Sequence, residues 1–424
     1  MARKVITFIG ADNYQITRYE WNQISSDPTQ YLHIALKQFY PAYTVIVLAT
    51  NEAREEHGAA LNGFQTCPID QIVSDDDMWK AFDVIQKQIN SGDQIVFDIT
   101  HSFRSLPFLA LLTIAYLRVI RDFELEAVLY APYGEYRSTP VYNLIRFVDL
   151  LDWTTATHLF LKAGYAEDLV QRLENAQWLE TGAQQTMQQV AAALRLARPD
   201  EARQSAFEWA QVDIEPDDLK LQARPFALLM KRVQKEFLDI APDEPDQGDL
   251  KQELEQQLAV INWNLGRGQI LSAVTVAREW LVSALCWAVG WNSIDNKTDS
   301  EGNSYQEPEW RSEEVRKPHG KAEKALSALK DLAQLPPGDR DRAAGSKTPV
   351  ACRLYKNRPE FSVLLGEIWK AVSDLRNDLN HAGMVHSTTP RSLDEIVSEV
   401  NNLHGRLEEL AKHLWSPETV PPSL

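Results

Sequence analysis

Cysteine is scarce in this sequence: three residues in 424, Cys67, Cys286 and Cys352. None stands at metal-ligand spacing from another, so neither a disulfide framework nor a zinc site is expected, and the thiols read as incidental in a reducing cytoplasm. A long apolar run at the start is missing too. MARKVITFIGADNYQ holds only Val5 to Ile9, too short for a signal peptide or a membrane span, so a strand is expected there, in a cytoplasmic protein without a membrane. There is no GxGxxG, which argues against a redox dinucleotide cofactor. Positive charge is in deficit as well: 43 Lys and Arg against 60 Asp and Glu leave a formal charge of −17. Proteins that coat nucleic acid carry a basic surplus to neutralise phosphate. This chain is therefore no general coat, and any RNA contact is confined to a small local site.

What is present is a globular composition, 44% apolar and 24% charged, in a chain long enough for two or three domains. In the first part, Val5–Ile9, Tyr43–Ala49, Gln94–Ile99 and Leu125–Tyr130 are nearly continuous apolar runs, as strands covered on both faces should be. Between them, Tyr31–Tyr40, Met78–Ile89 and Pro107–Ile120 have helical spacing, and the acidic run Asp75–Asp77 suits a helix N-terminus. Strand and helix alternating in this way predict right-handed crossovers and a parallel, doubly wound, Rossmann-like α/β sheet over residues 1–152. From Trp153 to Ala241 the pattern is helical, Gln- and Ala-rich, and ends in the acidic linker APDEPDQG, which makes 153–248 a helical connector.

Residues 249–424 read as an all-α domain. Ile270, Val274, Ala277, Leu281 and Leu285 stripe one helix that Gly290 closes. Leu365, Ile368, Trp369, Val372, Leu375 and Leu379 stripe another, and the leucines from Leu393 to Leu414 a third. Trp280, Trp287 and Trp369 fall in or beside these stripes and suit core positions. Asn292–Arg311 and Leu335–Thr348, rich in Gly, Pro and charge, are expected as mobile loops.

Ligands of open α/β sheets sit beyond the carboxyl ends of the strands. The residues found there are Gly10, Asp12 and Asn13 after the first strand, Thr50 and Asn51 after the second, Thr100, His101, Ser102, Phe103 and Arg104 after the third, and Tyr133 after the fourth. Backbone N–H groups, hydroxyls and a guanidinium in such turns bind phosphate, and a tyrosine can stack a base. The plainer alternative is a helix cap from Thr100 or Ser102 and a loop aromatic in Tyr133. Asp98 is expected to hold the turn.

In the helical part, RNDLNH (Arg376 to His381) places Arg and His five positions apart at a helix end. Arg376 and Asn380 are one turn apart, as are Asn377 and His381, so their polar groups converge on one exposed edge. Metal-free RNA cleavage needs such a set: a forked cation for the phosphorane charge, and an imidazole that moves a proton near neutrality. Arg376, Asn377 and His381 are accordingly the candidate catalytic residues, with no metal. A solvated Arg and a His capping the last carbonyls is the alternative. Arg353, Lys356 and Arg358 form a small basic cluster just upstream, placed to hold an RNA backbone.

RNDLNH, preceded by AREWL (Ala277 to Leu281), resembles the HEPN domains of CRISPR-associated ribonucleases, and DITHSFRSLP (Asp98 to Pro107) is similar to the ligand motif of their CARF sensor domains. The resemblance implies a CARF sensor at 1–152 and a HEPN ribonuclease at 249–424, acting in type III CRISPR antiviral defence. It further implies a homodimer or higher oligomer, a cyclic oligoadenylate as allosteric activator, and single-stranded RNA as substrate of a composite active site. Cyclic tetra-adenylate is the first choice because its symmetry suits a two-fold pocket; cyclic hexa-adenylate would suit one too. Two alternatives stay open at this point: a messenger-sensing regulator without nuclease activity, and a ring nuclease that degrades the messenger in the sensor pocket.

Overall fold

The computed structural model describes residues 1–101, 106–132, 138–175, 182–215, 224–241, 250–298, 304–380 and 391–415. The chain divides into two compact units, Met1–Asp152 and Trp153–Leu424.

Among the described residues, the first unit carries nine strands: β1 (Arg3–Ile9), β2 (Tyr19–Trp21), β3 (Ile24–Ser25), β4 (Thr44–Ala49), β5 (Gln65–Pro68), β6 (Gln94–Asp98), β7 (Glu124–Tyr130), β8 (Thr139–Pro140) and β9 (Tyr142–Asn143). Its helices are α1 (Leu32–Phe39), α2 (Asn51–Glu56), α3 (Asp75–Gln88), α4 (Leu106–Ile120) and the start of α5 (Ile145–Ala163). The main sheet runs β5-β4-β1-β6-β7-β9, parallel except for β9, which pairs antiparallel with β7. Side-chain alternation explains why its strands are apolar throughout. Val5 and Ile9 of β1 pack with Leu32, Ala35 and Leu36 of α1, whereas Ile6 and Phe8 pack with Ala81 and Ile85 of α3 and with Ala110, Ile114 and Leu117 of α4. Burying each such Ile or Phe contributes about 1.5–3 kcal/mol, which is why both faces need a helical layer. At α3, Ser74 caps the backbone N–H of Asp77, and Asp75–Asp77 fill the positive end of the helix.

The strand order makes β1 a switch point. From β1 the chain moves outward on one side through β4 and β5, then returns to add β6 and β7 on the other. A small second sheet, β3-β2-β8, ties the segment after β1 to the segment after β7, with Tyr19 opposite Thr139.

Among the described residues, the second unit is helical apart from one hairpin. Its first helices after α5 are α6 (Glu167–Asn175), α7 (Ala183–Arg195), α8 (Pro199–Ala210) and α9 (Arg224–Lys235), so residues expected as a connector lie inside this unit. The expected linker falls largely at 242–249, outside the described residues. Then come α10 (Leu250–Leu265), α11 (Ile270–Val289), the hairpin β10 (Ile294–Thr298) with β11 (Ser304–Pro308), α12 (Glu313–Arg316), α13 (Lys321–Ala333), α14 (Pro337–Ala344), α15 (Pro349–Asn357), α16 (Pro359–Asn380) and α17 (Leu393–Trp415). Two expectations are corrected here. Asn292–Arg311 forms an antiparallel hairpin and Leu335–Thr348 holds a helix, because polar strands can pair by backbone alone and Pro337 pre-sets the first turn of α14. Helix α11 is long and apolar enough to cross a bilayer, yet most of it is buried inside the unit, Trp280, Leu281 and Leu285 completely. It ends as expected at Gly290, in the left-handed region at φ 80°.

Candidate sensor pocket and helix edge

The carboxyl ends of β1, β6 and β7 enclose a cavity of about 440 Å³. It is lined by Asp12, Asn13, Tyr14, Gln15, Ile16 and Thr17 after β1, by Thr100 and His101 after β6, by Tyr130, Ala131 and Pro132 at the end of β7, and by Tyr19, Gln30 and Thr139 from the small sheet and its flank. This is the crevice that an open α/β sheet leaves at its switch point.

Asp98, the last residue of β6, forms the floor. It is fully buried and accepts hydrogen bonds from Thr7 Oγ1 (2.5 Å), Thr100 N (3.0 Å) and Thr100 Oγ1 (2.6 Å). Burial outweighs these bonds and pushes its carboxyl up to about 6. Thr100 Oγ1 also accepts from Ala131 N (2.9 Å), so its hydroxyl is spent on joining β6 to β7 and caps no helix. Asp98 thus holds the turn, as the sequence suggested.

Over this floor stands an aromatic wall. Tyr14 and His101 lie with ring centroids 4.2 Å apart, and Tyr14 also meets Tyr31 and His57 at 5.9 and 5.4 Å. The Tyr14 hydroxyl closes its own loop, donating to Gly10 O (3.1 Å) and accepting from Gly10 N (3.0 Å), and burial pushes it up to about 12. Gly10 is therefore a fixed hinge for Tyr14: a Cβ there would stand 3.2 Å from that hydroxyl oxygen. His101 Nε2 faces Leu32 N and the Tyr19 hydroxyl, each at 3.4 Å. As an acceptor from a backbone N–H, Nε2 is unprotonated, which leaves the proton on Nδ1. Burial, with His33 and His57 nearby, holds His101 down at about 3, and burial holds His33 at about 4. The pocket therefore meets a ligand with neutral rings.

Of the residues the sequence pointed to, Asp12, Asn13, Thr100 and His101 meet at this cavity. Gly10 shapes its rim without lining it. Thr50 and Asn51 are elsewhere, because β4 lies one strand outward from the switch point and its chain turns straight into α2. There Thr50, almost fully buried, caps Ala53 N (3.2 Å) and Asn51 begins the helix. Ser102, Phe103, Arg104 and Tyr133 lie outside the described residues. Sequence reasoning missed Tyr14, Tyr19, Gln30, Tyr130 and Thr139. Tyr130 had a signal, as the last residue of a predicted strand; the others arrive on short elements without periodicity.

In the second unit, RNDLN closes α16. Leu365, Ile368, Trp369, Val372 and Leu375 are buried along its inner face. Asn377 and Asn380 are exposed, and Arg376 is half-buried with no hydrogen-bond or ion-pair partner among the described residues. His381 lies outside them. Arg391, just before α17, donates to Asp374 O (3.2 Å) and stands 4.0 Å from Asp378, tying α17 to the last turns of α16. The AREWL residues are structural. Trp280 donates to Leu254 O (2.9 Å); Arg278 reaches Glu279 and Glu323 and stacks on the Trp369 ring at 5.3 Å; and Glu279 pairs with Arg316 (3.0 Å). Of the upstream basic cluster, Arg358 is committed to His413 O and the Phe361 ring. Among the described residues, no group of three His, Cys, Asp or Glu side chains is arranged to hold a metal ion.

No protein-family model matches the chain. Over 122 residues it is 27% identical to the CRISPR-associated protein MJ1674 of Methanocaldococcus jannaschii; the match spans 27% of this chain and 19% of the relative's length. Among solved structures it is similar to Enterococcus italicus Csm6 bound to cyclic hexa-2'-fluoro-hexa-dAMP, with a TM-score of 0.44 and 11% identity, covering 98% of this chain and 95% of that one.

Proposed function

We propose that this chain is a CARF-HEPN ribonuclease of type III CRISPR defence: a homodimer whose first unit binds a cyclic oligoadenylate and whose helical unit then cleaves single-stranded RNA. The observation that carries the reading is the switch-point cavity. It combines polar groups suited to ribose and phosphate, on Asp12, Asn13, Gln30 and His101, with the aromatic faces of Tyr14 and Tyr130 suited to bases. A volume of about 440 Å³ per chain is small for a whole ring of four or six nucleotides, which agrees with two copies sharing one ligand.

In the helical unit, the substrate's own 2′-oxygen attacks phosphorus, the P–O5′ bond breaks, and the products end in a 2′,3′-cyclic phosphate and a 5′-hydroxyl. Arg376, free of described partners, suits the charge that develops on the phosphorane. His381 moves the proton between the 2′-hydroxyl and the leaving oxygen, with Asn377 orienting it. None of these steps calls on a metal. The test is cleavage of labelled RNA in EDTA with cyclic tetra-adenylate, cyclic hexa-adenylate or neither. Cleavage that appears only with a ring nucleotide and yields 2′,3′-cyclic phosphate ends is the expected result. Cleavage that ignores both rings, a strict Mg²⁺ requirement, or 5′-phosphate products would overturn the reading.

A further inference from the structure

The helical unit carries a groove of about 310 Å³ between α13, α16 and the chain that leads into α17. Its floor is a face of α16 from Gly366 to Asp374, and its walls come from the end of α13, from Arg391 and from α17. Four cations line it, Lys330, Lys370, Arg391 and Arg406, against three carboxylates, Glu367, Asp374 and Glu399. The groove is thus net positive by one in a chain of −17. Six of the seven pair off: Lys370 with Asp374 at 2.7 Å, Arg406 with Glu367 at 3.1 Å and Arg391 with Glu399 at 3.2 Å. Each of those side chains is between a quarter and a half exposed, and ion pairs so wetted hold each other weakly. Lys330, half-buried, has no hydrogen-bond or ion-pair partner among the described residues. Place matters as much as charge. Glu367, Lys370, Asp374 and Asn377 follow one another at spacings of three, four and three, so they share one face of α16. The groove therefore leads to the edge at which the functional reading puts cleavage, with Lys370 two turns, about 10 Å along the helix, from Asn377.

We propose that this groove is a subsite for single-stranded RNA, seating a nucleotide close to the bond that is cut. Its volume is at the lower limit of small-molecule sites, which gives room for one nucleotide and none for a duplex. Lys330 and Lys370 meet a phosphate there. Asp374, given up by Lys370, and Glu367 accept from the amino group of a base, on an edge that only an unpaired strand leaves free. Cations and carboxylates interleaved in this way discourage a bare polyanion and match a strand that offers phosphates and N–H donors in turn. The proposal rests on the RNA-cleaving reading and adds where the strand is gripped.

The test measures binding and cleavage by the full chain with cyclic tetra-adenylate or cyclic hexa-adenylate present, and circular dichroism confirms that each variant is folded. Binding is read by fluorescence anisotropy on a short RNA methylated at every 2′-oxygen, which lacks the attacking hydroxyl and stays intact. Lys330→Gln and Lys370→Gln should each weaken binding roughly tenfold and flatten the dependence of log K on log salt by about 0.7. Each should raise KM for the unmethylated RNA by a similar factor with little effect on kcat. Lys324→Gln, the same loss of charge at an exposed position of α13, should change none of these. Equal weakening by Lys324→Gln would overturn the groove. So would Lys330 and Lys370 variants that match the wild type while ring-dependent cleavage proceeds, and that outcome would spare the RNA-cleaving reading. A fall in kcat with binding and KM unmoved would also remove the groove as a binding subsite. Absence of cleavage with either ring would overturn the reading instead; the groove then stands if RNA binding still depends on Lys330 and Lys370, and falls if it does not.

Discussion

At single residues, the pocket makes two opposite demands on protons. His33 and His101 are held far below the ordinary imidazole value, so below about pH 6.5 the unfolded chain takes up protons that the folded one refuses. Their contribution to stability is complete above that pH and is lost as pH falls toward 4 and then 3. Asp98 has the opposite sign. Its folded value of about 6 exceeds the unfolded one of about 3.9, so its contribution is full at low pH and is lost as pH rises through 6. Between pH 7.5 and 5 the two imidazoles lower stability while the carboxyl raises it by roughly 1 kcal/mol. Thermal melts over that window should show a shallower fall for His101→Gln than for wild type, and a steeper one for Asp98→Asn. Parallel curves would remove these groups from the balance. At the helix edge, Arg376→Ala should lower RNA cleavage by about 10²–10³-fold, and Lys should restore little, because a point charge does not reproduce the guanidinium fork. Substantial rescue by Lys would contradict that role.

At the level of elements, the helix bearing RNDLN is set by how closely α13 approaches it. A Cβ at Gly366 would stand 2.5 Å from Leu329 O and 2.9 Å from Lys330 N, both backbone atoms that cannot swing aside. Gly366→Ala should therefore push α13 off α16, cost about 1–3 kcal/mol by overpacking, and reduce cleavage with it. Unchanged melting would show that the two helices part freely. Elements also mark where the sequence stopped being legible. Four of the five parallel strands are readable because burial on both faces makes them nearly unbroken apolar runs. Strand β5 (QTCP), on the sheet edge, and α2 (NEAREE), two turns long, carry no such pattern, and the β10–β11 hairpin is built from residues as polar as a loop. The site divides the same way. Asp12, Asn13, Thr100 and His101 follow directly from strand ends, whereas Tyr19 and Thr139 meet only because a two-residue bridge joins positions 120 apart. Thr50 and Asn51 stand away from this cavity because β4 lies one strand outward from β1, a strand order that periodicity does not reveal.

For the whole molecule, the functional reading makes two properties separable. Asn13→Ala removes a pocket group far in sequence from α16. It should raise the messenger concentration needed for half-activation by roughly tenfold, while cleavage at saturating messenger recovers. His381→Ala should do the reverse, abolishing cleavage with ring binding intact, as calorimetry would report. A variant in either unit that moves both quantities equally would argue against a division of labour.

The central place of β1 also has a consequence for the order in which the protein takes shape. As the chain leaves the ribosome, β1 can pair with β4 once about fifty residues are out, but its other edge waits for β6, more than ninety residues downstream. The half-sheet β1-β4-β5 is thus available early, and β6-β7-β9 joins it later. The cavity lies along the seam between these halves, with Asp12 and Tyr14 on the early side and Thr100, His101 and Tyr130 on the late one. Thr7, from the early half, meets Asp98, from the late half, at the bottom of that seam. The cavity is therefore completed only once β6 and β7 have emerged, and a nascent chain stopped short of β6 lacks the late half of its lining.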